Sequence, residues 1–217
     1  MAPSPSSWRH EMEAVVYLAR HGMTEWQERG LNRLAGRLQG IGLSTEGRRQ
    51  AEGLARALRN VPLDRVLSSP LLRTMQTAEA VASLHGLPVE ADERLTEWGF
   101  GVWEGMEVEE ISRAFPHEYR LWREEPDALR VPGGERAEDV AHRMLACFEE
   151  VAQGEGTFLL VSHQDPLLAL LCSLLGLPLR AMRSLDIALG SLSKVRVSDG
   201  RVVVEFVNCR SFLEGGA

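Results

Sequence analysis

Two histidines follow apolar runs in this chain. Arg20-His21-Gly22 comes directly after Ala14-Val15-Val16-Tyr17-Leu18-Ala19, and His163 comes directly after the run that ends at Val161-Ser162. A guanidinium can hold a phosphate through two parallel hydrogen bonds. Imidazole is the side chain best suited to be neutral and nucleophilic near pH 7. Side by side at one chain position, Arg20 and His21 read as a place where a phosphoryl group is gripped by Arg and attacked by His. Arg73, in Ser68-Ser69-Pro70-Leu71-Leu72-Arg73-Thr74, offers a second guanidinium. Glu97, in the Gly- and Trp-rich stretch Leu95 to Gly105, offers a carboxylate, and Glu104 shares that stretch. Taken singly, each has a plainer reading: a histidine satisfied in the core, or a solvated charge on a helix. His10, His85, His117 and His142 read as surface residues. They form neither a His-x-x-x-His nor a His-Glu-x-x-His pattern, so no catalytic metal is expected.

The elements around these residues alternate. Residues 13–19 read as a strand that stops at a Gly-containing loop. Thr45 to Leu58 has helical spacing. Val66-Leu67-Ser68 reads as a short buried strand, after which Ser69 as N-cap and Pro70 in the first turn open a helix that Gly86 stops. Val89 begins another short strand. Residues 96–135, interrupted by Gly and Pro, read as a partly helical excursion that could form a lid. Ala137 to Ala152 is amphipathic, with Val140, Met144, Phe148 and Val151 on one face. Thr157 to Val161 is a buried strand, and Asp165-Pro166 reads as the cap of the apolar helix that follows. Val195 and Val197 alternate with polar residues before Asp199-Gly200 turns the chain into Val202 to Phe206, a type I′ hairpin signal. Strands alternating with helices predict an α/β fold. It is a three-layer, doubly wound, mainly parallel sheet with helices on both faces and a terminal antiparallel hairpin. Such folds place their reactive groups where strands end.

Composition narrows the class. The 217 residues, 44% hydrophobic and 25% charged, suit one domain with a proper core. Residues 1–12 read as a flexible tail and 13–217 as a single domain. A net charge of −7 argues against non-specific nucleic-acid binding, which needs a basic face, but not against an anionic ligand held by clustered Arg. Cys147, Cys172 and Cys209 are widely spaced, and the N-terminal stretch lacks the apolar core of a secretory signal. Free thiols and a cytoplasmic location are therefore expected. Leu167 to Leu177 is too short to span a bilayer.

Five blocks, in order, resemble the histidine phosphatase superfamily, also called phosphoglycerate mutase-like, over about Val15 to Val197. They are Arg20-His21-Gly22-Met23-Thr24, the Leu43–Ala51 stretch LSTEGRRQA, the Ser68–Ala78 stretch SSPLLRTMQTA, Phe100-Gly101-Val102-Trp103-Glu104-Gly105, and Val161-Ser162-His163. The resemblance implies that His21 is the nucleophile that becomes phosphohistidine. It also implies that Arg20, Arg73 and His163 bind the phosphate oxygens, with His163 cationic, and that Glu97 is the proton donor. Thr24 and Arg37 match positions that line or buttress the pocket. Gln27 stands where the family usually has Asn, and Gln164 where Gly commonly follows the second histidine. Both are counted among the phosphate-binding candidates.

His21 and His163 lie 142 residues apart, which resembles the compact phosphatase branch rather than the longer mutases. The implied activity is hydrolysis of a small phosphorylated metabolite through phosphohistidine, without metal or other cofactor. The alternatives are mutase-type phosphoryl transfer and a non-catalytic phospholigand-binding module. The expected partner is the small substrate alone, not nucleic acid or membrane, and a homodimer is left open. Trp26, Trp98, Trp103, Trp122, Phe115 and Tyr119 crowd the loops, either to face a ligand or to pack the excursion onto the core.

Overall fold

The first strand, β1 (Glu13–Arg20), sends alternate side chains to opposite faces. Val16 and Leu18 enter one core and Tyr17 and Ala19 the other. Both faces must therefore be covered, and the computed structural model, which describes residues 13–214, shows how. The helices α2 (Thr45–Leu58) and α3 (Leu72–His85) cover one face, where Leu54, Leu58, Ala78 and Val81 meet Ala19, Leu159 and Val161. The helices α6 (Ala137–Ala152) and α7 (Gln164–Leu174) cover the other, with Met144, Phe148, Leu168 and Leu171 against Val16, Leu18 and Leu160. A short α1 (Glu25–Glu28) precedes α2, and α4 (Val108–Ala114) and α5 (Pro116–Glu124) lie in the excursion before α6. The tail expected at residues 1–12 lies outside the described residues.

The sheet holds β1, β2 (Arg65–Ser68), β3 (Val89–Ala91), β4 (Gly156–Ser162), β5 (Leu192–Ser198) and β6 (Arg201–Cys209), in the order β3-β2-β4-β1-β5-β6. The first four are parallel, and β5 and β6 add an antiparallel edge. This is the three-layer α/β arrangement expected from the alternation of elements. Asp199 and Gly200 both have positive φ, as the type I′ turn between β5 and β6 requires. A last short helix, α8 (Ser211–Glu214), packs against α2.

Two helix starts differ from expectation. Helix α3 begins at Leu72 with Leu71 as an uncapped N-cap; Ser69 lies two residues earlier, where its Oγ accepts from the Leu71 N–H at 3.4 Å and pairs with the His163 ring at 2.9 Å. Helix α7 begins at Gln164 with His163 at its N-cap, so Asp165 lies inside the first turn and pairs with Arg183 instead of capping. The excursion is fastened rather than loose. Trp98 and Trp103 are fully buried, and a chain of ring contacts runs from Trp98 through Phe100 and Trp122 to Trp103 and Phe115. Most of its aromatics therefore pack the excursion onto the core. Cys147 and Cys172 are buried free thiols. No helix among the described residues is long and apolar enough to cross a membrane.

Candidate active site

Parallel register assembles the site. Arg20 pairs with Ser162 across β1 and β4, and Ser68 with Val161 across β2 and β4. The next residue of each strand, His21, His163 and Ser69, therefore emerges at the same edge. The ladder continues one step further, with the His21 N–H donating to Ser162 at 3.2 Å and the Ser69 N–H to Val161 at 3.0 Å. The two imidazoles meet edge to face with centroids 5.1 Å apart. Behind His21 the chain leaves β1 pressed against the first turn of α2. A Cβ on Gly47 would sit 1.9 Å from the Met23 carbonyl oxygen, and one on Gly22 would sit 2.4 Å from that of Gly47, so only two glycines allow the approach.

Each ring has one nitrogen committed. His21 Nδ1 lies 2.8 Å from the Gly22 carbonyl oxygen, which can only accept, so Nδ1 carries the proton and Nε2 keeps its lone pair. His163 Nε2 lies 2.9 Å from Ser69 Oγ. With Ser69 donating there, His163 Nδ1 carries the proton; it has no partner and lies 3.8 Å from Glu97 Oε2. Burial, and then Arg73, hold both imidazoles well below the usual histidine range, so both are neutral near pH 7. The fixed positive charge there belongs to Arg20 and Arg73. Arg73 reaches in from the first turn of α3, and its Nη2 donates to the Gly36 carbonyl at 2.8 Å. Arg20 Nη1 donates to the Ile187 carbonyl at 2.6 Å, while its Nε has no partner. Burial pushes Glu97 up to about 7, with Asp165 adding to the rise and Arg73 and Arg20 opposing it. The Trp98 N–H donates to Glu97 Oε1 at 2.9 Å.

Arg20, His21, Thr24, Gln27, Arg73, Glu97 and Gln164 line a cleft of about 210 Å³, and His163 lies fully buried beside it. Phe100, Val108 and Trp122 from the excursion form one wall, and Trp26 from α1 and Asp165 from α7 also border the cleft. Thr24 caps α1. The Gln27 oxygen accepts from the Thr24 N–H at 2.9 Å and lies 3.0 Å from the Thr24 hydroxyl, so part of its carboxamide is spent on the helix start. Arg37 does not border the cleft. It sits behind Glu97, with Nε donating to the Glu97 carbonyl at 3.0 Å. Three participants carried no signal in the sequence: Ser69 as partner of His163, Arg183 as partner of Asp165, and Arg143, whose Nη2 donates to the Glu97 carbonyl at 3.1 Å. Polar side chains far apart in the chain announce no pairing until the fold brings them together.

The buried histidines predict an acid-sensitive fold. An unfolded histidine takes up a proton near pH 6.5, but His21 and His163 resist it in the folded state, so stability present above that pH is lost below it. Glu97 works the other way, since its folded form holds a proton up to about pH 7 that the unfolded chain releases near 4.5. Two protons against one leave a net uptake on unfolding. Urea denaturation should therefore show stability falling by ~1.4 kcal/mol per pH unit between about pH 6 and 5. A flat profile would mean that only one of the two rings resists protonation, and stability that rises toward pH 5 would mean that neither does.

Chemically, the cleft offers a free imidazole lone pair, two guanidiniums, one ring N–H and a carboxyl that is half protonated near neutrality. A family profile described as histidine phosphatase superfamily (branch 1) matches residues 16–210. Phosphoserine phosphatase 1 of Hydrogenobacter thermophilus is 36% identical over 198 residues, covering 89% of this chain and 91% of that protein. The Yersinia pestis protein named "Probable phosphoglycerate mutase GpmB" is 37% identical over 190 residues, 83% of each chain. Among solved structures, Bacillus stearothermophilus YhfR superposes with a TM-score of 0.86 at 30% identity, covering 92% of this chain and 99% of its own.

Proposed function

The chain belongs to the histidine phosphatase superfamily and is a phosphatase; on that premise we propose that it hydrolyses small phosphomonoesters without a metal, using His21 as nucleophile and Glu97 as proton donor. The observation that carries this reading is the tautomer that the Gly22 carbonyl imposes on His21, which leaves Nε2 unprotonated in a cleft that Arg20 and Arg73 also line. In the first step Nε2 forms a bond to phosphorus, the bond to the ester oxygen breaks, and Glu97 gives its proton to that oxygen. In the second, water attacks phosphorus and returns a proton to Glu97, the N–P bond breaks, and phosphate leaves. Arg20, Arg73 and the His163 Nδ1–H face the charge spread over the equatorial oxygens of each transition state, which is the main contribution a protein can make to phosphoryl transfer. A dianion in the cleft also favours protonation of Glu97 and His163, so bound substrate primes the acid and brings His163 toward the cationic form. Thr24, Gln27 and Gln164 border the leaving group or the phosphate, and Arg37 supports Glu97 from behind.

Metal independence is supported by the donor set. The charge that a divalent ion would supply is provided by two buried guanidiniums, and no group of three or more His, Cys, Asp or Glu among the described residues is arranged to hold a metal ion. A small substrate is supported by the cleft volume, the polar lining at the phosphate end and the similarity to phosphoserine phosphatase 1. Free thiols at Cys147, Cys172 and Cys209 are compatible with a reducing compartment such as the cytoplasm.

A screen of phosphorylated metabolites, ranked by kcat/KM before and after exhaustive chelation, tests the proposal. Release of inorganic phosphate at an undiminished rate after chelation is expected. Activity that disappears and returns with Mg²⁺ or Zn²⁺ would overturn the metal-free reading, and an isomerised monophosphate in place of inorganic phosphate would make the protein a mutase.

A further inference from the structure

Glu135 lies in the loop before α6 and outside the cleft, yet every polar group it has is tied to the loop that carries Glu97 or to the cations behind it. Its N–H donates to the Gly99 carbonyl at 2.8 Å, and its carbonyl accepts from the Trp98 indole at 3.0 Å. Its Oε2 accepts from the Gly99 N–H at 2.9 Å and from Arg143 Nη2 at 3.2 Å. Its Oε1 pairs with Arg37 Nη2 at 2.7 Å and with Arg143 Nε at 3.1 Å. Both guanidiniums then converge on one acceptor, the Glu97 carbonyl. Two cations are lodged behind a single peptide group, and one carboxylate binds both. We propose that Glu135 is a positioning residue for Glu97: it aligns the loop that presents this carboxyl and balances the two guanidinium charges behind it.

This inference rests on Glu97 being the proton donor. The charged and titratable groups facing Glu97 are Arg20 at the end of β1 and His21 just beyond it, Arg73 on α3, His163 beyond β4, Asp165 on α7, Arg143 on α6 and Arg37 in the loop before α2. Asp165 is the carboxylate among them that favours a protonated Glu97, and Arg20 and Arg73 oppose it. If Arg37 and Arg143 were left unbalanced they would oppose it too, and an ionised Glu97 cannot protonate a leaving group. The Glu135 side chain is 21% exposed and that of Arg143 15%, so solvent screens this pair only in part.

The test compares O-phosphoserine, whose alkoxide leaving group needs a proton, with p-nitrophenyl phosphate, whose leaving group does not. Glu135→Gln keeps an acceptor and removes the charge. It should lower kcat/KM for O-phosphoserine at least tenfold more than for the aryl ester, and move the alkaline limb of the O-phosphoserine profile down by about one pH unit. Glu135→Asp should restore part of both. Arg37→Met, which removes one cation from a partly exposed site, should move the limb the opposite way. Equal losses on the two substrates with an unmoved limb would reduce Glu135 to a structural role, as would an unmoved limb in Arg37→Met. Glu97→Gln, run alongside, tests the premise separately: if it too reduces both esters equally, the donor is elsewhere.

Discussion

Replacing His21 with alanine is expected to abolish turnover, lowering kcat by ~10⁴-fold or more, because it removes the imidazole nitrogen that lines the cleft beside Arg20 and Arg73. His163 cannot substitute for it. Its Nε2 is held by Ser69 Oγ at 2.9 Å and, with Ser69 as the donor, its Nδ1 carries the proton. The wild-type enzyme, mixed with radiolabelled phosphomonoester and denatured in alkali, should carry acid-labile phosphate on the peptide that contains His21, and His21→Ala should carry none. Label on the His163 peptide would reverse the two roles. An absence of bound phosphate under single-turnover conditions, with inversion at phosphorus, would point to direct attack by water.

The second large effect concerns Glu97→Gln. A buried carboxyl near pKa 7 is protonated often enough to act as an acid and ionised often enough to act as a base. Glutamine occupies the same space and can do neither. The loss should reach ~10²–10⁴-fold on an alkyl phosphate and be far smaller on an activated aryl phosphate, whose leaving group departs as a stable anion. The same chemistry predicts that wild-type kcat/KM on alkyl phosphates declines above about pH 7, as Glu97 ionises. Steady-state profiles on the two ester classes check both statements. Equal losses would move the acid role, with Glu104 the next carboxylate to examine. Glu104 is currently occupied in accepting from the Phe100 N–H at 3.0 Å.

Those residues were legible in the sequence because each sits where a local pattern ends. His21 and His163 follow apolar strands, Arg73 opens a helix, and Glu97 stands in a Gly and Trp loop. Helix α6 and the Asp199-Gly200 hairpin were equally plain, since periodicity and turn chemistry are local properties. What stayed hidden was relational. Ser69 looked like a helix cap, but the helix starts three residues later, and the Ser69 hydroxyl accepts from the Leu71 N–H and pairs with the buried His163 ring. Asp165 looked like a cap, but Arg183, 18 residues further on, claims it. Gln27 looked like a phosphate ligand, yet part of its carboxamide closes the start of α1. Arg37 is read from the resemblance as lining or buttressing the pocket, but its meeting with Arg143 and Glu135 behind Glu97 is not legible, because nothing in a sequence says which of many charges will converge on one carbonyl.

The strand order has a bearing on how this protein is made. Strands β1 and β2 both hydrogen-bond to β4, which lies between them, although β4 ends only at Ser162. During synthesis the first two strands therefore emerge long before the strand that joins them, and until then each presents an open edge. The pairing is long-range, so chain closure is entropically costly and folding is slow compared with a helical chain of this size. The nascent chain carries Arg20 and His21 from the start but cannot bring His163 beside them until most of its length has left the ribosome. Those unpaired edges are where premature association between chains would begin, and a chaperone that shields them would be of most use before β4 emerges.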